Sequence, residues 1–225
     1  LSILGEKTLE KTPIDEAFIY KIQRFIEVRA WDVRDNLWQH FQTDRAFKRS
    51  LELYARQQEW QIPTMEFEMM DYAHISLLML VSKLMVYKAF VDFKQWKVPP
   101  LAEPPHDGTP KAYYSYLWDS FDQLKEITGD FELLFGERDD VINRIPFLAD
   151  SSVDFVQDIL GLEERYNFAN LPYDIVGRIF EGLIREDERH KRGQYFTSSR
   201  IVDIINAFCI RTGNESVLDP SCGSG

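Results

Sequence analysis

From Pro13 to about His40 the apolar positions Ile14, Phe18, Ile22, Phe25, Ile26, Val33 and Leu37 recur mostly at intervals of three and four. That is the period of one helix face, and it predicts a long helix with Thr12 and Pro13 as cap and first position. Phe47, Leu51 and Tyr54 predict a second helix over Thr43 to Trp60. Pro63 interrupts, and Thr64 is placed to cap a third helix running to Phe93. Tyr72, Ile75, Leu77, Leu78, Leu80, Val81, Leu84, Met85, Val86 and Tyr87 spread over more than one face of it. A helix apolar nearly all round predicts a central element packed by several neighbours.

Between Lys97 and Lys111 the pattern stops. Pro99, Pro100, Pro104, Pro105, Gly108 and Pro110 predict an exposed loop, because proline lacks the N–H that helices and central strands require. Helical spacing resumes from Lys111 to Thr128 and from Asp139 to Leu160, with Gly129 and Gly136 as punctuation. The run Tyr113 to Trp118 is rich in rings but lacks interleaved basic residues, which favours helix core over base stacking.

The last sixty or so residues change character. Leu171 to Arg185 reads as an amphipathic helix carrying Ile175, Val176, Ile179, Phe180 and Leu183. A charge run, Glu186 to Arg192, and Gly193 follow. A further helix is expected from about Ser199 to Arg211, with Ile201, Val202, Ile204, Ile205 and Phe208 inward and Gly213 as its stop. Ser216 to Asp219 reads as a short buried strand and Pro220 to Gly225 as the turn after it.

Composition narrows the picture only a little. A hydrophobic share of 44% and a charged share of 28% over 225 residues are those of an ordinary globular protein. The formal net charge of −11 is the wrong sign for a surface that grips phosphate throughout. Cys209 and Cys222 form no C-x-x-C pair, so neither a zinc site nor a disulfide framework is expected. The apolar run at Ile75 to Val81 is broken by Ser82 and Lys83 and reads as too short to span a bilayer. No secretory signal is read at the N-terminus. The chain starts at Leu1 and stops inside a glycine-rich turn, which reads as a piece of a longer protein.

Two segments carry chemistry. In Val217-Leu218-Asp219-Pro220-Ser221-Cys222-Gly223-Ser224-Gly225 an apolar strand runs into a glycine turn, the way open α/β sheets approach a cofactor. Glycine lets the backbone come close to a ligand, and Asp219 at the strand end can accept a hydrogen bond from a ligand ammonium. The segment is neither a complete dinucleotide fingerprint nor a phosphate loop. Some twenty residues earlier, Gly193-Gln194-Tyr195-Phe196-Thr197 brings two rings to a helix start that Thr197 or Ser198 would cap. Taken alone, that second segment is an ordinary capped helix after a loop.

Leu171 to Ile184, then Glu188 to Thr197, then Asp219 to Gly225, in that order, resemble the N6-adenine DNA methyltransferases of restriction–modification systems. Modification subunits of type I systems and single-chain restriction–methylation enzymes are the nearest in kind. The resemblance covers about Tyr166 to Gly225 and extends weakly to Leu77 to Tyr87. It implies a mainly α chain: a helical N-terminal domain over 1–165, then the truncated opening of a Rossmann-like α/β methyltransferase domain over 166–225. It implies S-adenosylmethionine as cofactor, bordered by Gln194, Tyr195, Phe196, Thr197, Ser198, Asp219, Pro220, Cys222, Gly223 and Gly225. Ser198 stands where the family usually has proline. The family's Asn/Asp-Pro-Pro-aromatic catalytic motif lies downstream of Gly225, so no catalytic residue is assigned in this chain, and none of its residues is expected to bind metal.

The partners implied are double-stranded DNA and a specificity or restriction subunit, and the location implied is the cytoplasm. Arg185, Arg189, His190, Lys191 and Arg192 form a local basic cluster, offset by Glu186, Asp187 and Glu188, and a solvated loop is the favoured reading of it. The competing function is a non-catalytic helical interaction or positioning module with an incomplete methyltransferase start. A protein or RNA methyl acceptor is a further alternative.

Overall fold

The computed structural model describes residues 12–93, 97–102, 104–105, 108–129, 135–168, 199–213, 216 and 218. Among these the protein is mainly α-helical, in agreement with the expected class. Helix α1 spans Glu16–Thr43 and α2 spans Arg45–Gln57. A 3-10 turn, Glu66–Glu68, leads into α3, Met69–Phe93. Helix α4 spans Pro110–Thr128, α5 is the single turn Val141–Arg144, and a second 3-10 turn, Ile145–Leu148, precedes α6, Ser151–Glu163. Helix α7 spans Ser199–Cys209. Two short strands, β1 (Thr12–Pro13) and β2 (Tyr166–Asn167), pair in parallel, with Thr12 opposite Tyr166 and Pro13 opposite Asn167.

Local chemistry sets these boundaries. The cap of α1 is Asp15, whose Oδ1 accepts the Phe18 N–H at 2.9 Å, so Thr12 and Pro13 are not the cap; they form β1 instead. Asp44 closes one helix and opens the next. Its N–H donates to the His40 carbonyl at 2.8 Å, and its Oδ1 accepts from Phe47 and Ala46. Those two amides hold the Asp44 carboxyl below the usual range. Thr64 does not cap through its own hydroxyl oxygen. Its N–H and its hydroxyl both donate to the Glu68 carboxylate, which also takes the Met65 N–H. The expected single helix over Asp139 to Leu160 is broken in two: Pro146, which has no N–H for an α-type bond, lies in the 3-10 turn that follows α5, and Ala149 takes an extended backbone (φ −106°, ψ 140°) before α6 begins. Pro110, by contrast, begins α4 behind the Thr109 cap, where a missing N–H costs nothing.

Helix α3 is the centre, as its apolar girth predicted. It lies along α1 and is packed further by α5, α6 and both 3-10 turns. Ala73, Leu77, Val81 and Leu84 are fully buried. By length and composition, Glu66–Asp92 is apolar enough to cross a bilayer, contrary to the reading of the run as too short. Here that apolarity is used on neighbouring helices. Tyr113, Leu117, Trp118 and Phe121 of α4 are core residues, as expected for the aromatic-rich run. Among the described residues the buried core runs from Ile14 to Phe168.

The C-terminal part departs from expectation. Helix α7 forms where predicted and Gly213 takes φ +75°, but its apolar face is not inward. Ile201, Val202, Ile204, Ile205 and Phe208 are between 39% and 74% exposed. Of the expected buried strand, Ser216 and Leu218 are described. Neither is in a strand, and Leu218 is 86% exposed. A strand needs a paired neighbour to satisfy its backbone, and among the described residues none lies beside this segment.

Candidate functional site

The residues expected to border a cofactor, Gln194 to Ser198, Asp219, Pro220, Cys222, Gly223 and Gly225, lie outside the described residues. So do the expected helix over 171–185 and the basic cluster over 185–192. What the structure adds is the frame on either side. Helix α7 begins at Ser199, directly after the Gln194 to Ser198 segment. Upstream, the segment Tyr166 to Phe168 is held from several sides.

The Tyr166 ring lies 4.8 Å from that of Phe18, and the Phe168 ring lies 5.7 Å from it, edge-on. Lys21 Nζ donates to the Tyr166 hydroxyl at 3.5 Å. The Phe168 N–H donates to Asp92 Oδ2 at 3.1 Å, while Asp92 Oδ1 takes Lys88 Nζ at 2.7 Å. Glu163, in the last turn of α6, is 2% exposed and faces this pair. Its Oε1 has no hydrogen-bond partner among the described residues. Burial pushes the Glu163 carboxyl well above the usual range; Lys88 opposes that shift and Asp92 adds to it.

A second buried polar group sits deeper. Lys83 is 2% exposed in the middle of α3. Its ammonium donates to Asn143 Oδ1 and lies 5.1 Å from the centroid of the Trp118 ring. Ser76, Leu80, Leu117, Phe121 and Phe147 line the same cleft. Burial lowers the Lys83 pKa to about 8, against the attraction of Asp140. The sequence reading treated Lys83 only as a break in an apolar run and did not single out Asp92 or Glu163. The available signal was a lysine with apolar residues on both sides along the most apolar helix. For Glu163 there was none, since its burial comes from packing of α6 on α3.

Comparison with known proteins bears on the other end of the chain. Residues 172–225 match the model of the N-6 DNA Methylase family. The match covers 54 of the chain's 225 residues. The chain is also 26% identical over 89 residues to the methylase subunit of the type I restriction enzyme MjaVII from Methanocaldococcus jannaschii. That match covers 38% of this chain and 15% of the relative. No solved structure matches. The matched segment therefore begins at residue 172, shortly after Phe168. Among the described residues no group of three or more His, Cys, Asp or Glu side chains is placed to hold a metal.

Proposed function

We propose that the protein carrying this chain transfers a methyl group from S-adenosylmethionine to the N6 amine of adenine in double-stranded DNA. The observation that supports this reading best is the methylase match over 172–225, which contains both cofactor-type segments in the order Gly193 to Thr197, then Asp219 to Gly225. S-adenosylmethionine supplies the electrophilic methyl group. The chemistry of the residues suits it: Asp219 offers an acceptor for its ammonium, Gly223 and Gly225 allow close backbone approach, and Tyr195 and Phe196 offer ring walls. Gln194, Thr197, Ser198, Pro220 and Cys222 complete the border.

The adenine amine of a stacked duplex is out of reach of such a pocket, so the target base is flipped out before reaction. The net charge of −11 leaves DNA contact to a restricted face or to another subunit. A specificity or restriction subunit and a cytoplasmic location follow from the same reading. The opening of a Rossmann-like domain, expected over 166–225, belongs to it as well.

The test is Asp219→Ala in the full-length protein. Removing a charge-assisted acceptor is expected to weaken S-adenosylmethionine binding by at least about tenfold, and to depress methyl transfer in parallel. Calorimetry and transfer of a labelled methyl group to adenine-containing duplex give the two readings. Unchanged affinity in the variant, or a wild-type protein that labels no adenine, would overturn the proposal.

A further inference from the structure

The segment Tyr166 to Phe168 is fixed by contacts of two kinds. Ring packing of Tyr166 and Phe168 on Phe18 holds the segment down but has little directional preference. The Asp92 carboxylate is directional. It is 10% exposed, one oxygen is engaged by Lys88, and the other takes the backbone N–H of Phe168. A charge-assisted bond to a main-chain amide fixes a backbone orientation as well as a contact.

From this we infer that Asp92 is a positioning residue for the segment that follows: braced by Lys88, it fixes the orientation of the Phe168 peptide, four residues ahead of the methylase match. The inference rests on the proposed methyl transfer only for its consequence at the cofactor; the structural role of Asp92 stands apart from it. Glu163 completes the arrangement. Burial favours its neutral form; the Asp92 carboxylate adds to that preference and Lys88 opposes it. From α1, Lys21 donates to the Tyr166 hydroxyl of the same segment.

The test uses the full-length protein with Asp92→Ala and Asp92→Asn, the second of which keeps an oxygen that can accept the Phe168 N–H. Hydrogen exchange is read at the Phe168 amide and across α1 and α3, alongside S-adenosylmethionine affinity. In Asp92→Ala, exchange at Phe168 is expected to rise about tenfold or more, with cofactor affinity weakened and α1 and α3 still protected. Asp92→Asn is expected to recover most of both losses. Should Asp92→Ala fail to fold, Lys88→Met carries the test, because it leaves the acceptor but removes its brace; a smaller rise at Phe168 is expected. Unchanged exchange at Phe168, equal defects in the Ala and Asn variants, or raised exchange with unaltered cofactor affinity each overturn the inference. If the wild-type protein neither binds S-adenosylmethionine nor methylates adenine, the functional reading falls, and the Phe168 amide alone decides whether Asp92 fixes the Phe168 peptide.

Discussion

Lys83 places a cation among apolar side chains with an amide oxygen and a ring face as partners, and among the described residues no carboxylate lies within ion-pair distance of its ammonium. Its pKa falls to about 8 from the ordinary 10.5 because burial penalises the charged form. The unfolded chain therefore keeps this proton up to about pH 10.5 while the folded protein releases it near 8, so stability rises with pH across that window. Relative to Lys83→Met, the wild type is expected to gain on the order of 3 kcal/mol across the whole window. Urea melts of both proteins between pH 7 and 9.5 capture most of it, and parallel pH profiles would refute it. Measurement stops there because Tyr72, Tyr114 and Tyr116 are pushed up to about 12 by burial. The unfolded chain ionises its tyrosines near 10, so these three make stability fall at higher pH. Glu163 has the opposite sense to Lys83. Its folded pKa is raised, so its burden is absent below the ordinary carboxyl range and grows as pH rises toward the folded value. Glu163→Gln should match the wild type at pH 4 and melt at a higher temperature at pH 8. Thermal scans at the two values decide it, and an equal difference at both would exclude titration as the cause.

Periodicity is a statement about elements, and it served unevenly. Helices α1, α3 and α4 were legible because the spacing of Phe18, Ile22 and Ile26, the all-round apolarity of α3, and the Leu117 and Phe121 pair are intrinsic to each segment. Pro146 was visible too, but its consequence, a 3-10 turn between α5 and α6, depends on how the neighbours close over it. The two-residue β pair joins positions more than 150 apart, and such a contact leaves no local pattern to read. The exposed face of α7 shows the converse: Ile201, Ile204, Ile205 and Phe208 announce amphipathicity, but spacing does not say what covers the stripe. The expected site segments were legible only as motifs, since their chemistry lies in residue types and order rather than in packing. Among the elements, α3 bears the core. Leu77 is fully buried, and its truncation in Leu77→Ala removes contacts that no solvent can replace. A loss of about 2–5 kcal/mol is expected in urea unfolding. A loss under about 1 kcal/mol would mean that α3 is not the packed centre.

At the scale of the molecule, the buried core among the described residues extends from Ile14 to Phe168, and the described part of α7 adds nothing to it. A unit of this size with a continuous core of its own is expected to fold by itself. Where the unit ends matters more than its approximate length. The resemblance to the methyltransferases starts at about Tyr166, and on that ground alone the helical domain would stop at 165. The side chains of Tyr166 and Phe168, however, are 6% and 2% exposed and pack on Phe18. The strand pair with Thr12 and Pro13 and the bond to Asp92 lie in the same three residues. We therefore expect residues 12–168 to melt cooperatively and 12–165 to be markedly less stable. Loss of two buried aromatic side chains accounts for a gap of several kcal/mol, on the order of 3–5 for each, reduced by whatever relaxation the body permits. Chemical denaturation of the two truncations side by side provides the measurement. Equal midpoints would show that the segment Tyr166 to Phe168 is an appendage laid on a finished core. A cooperative transition in the longer form alone would show instead that the helical body is completed by these three residues.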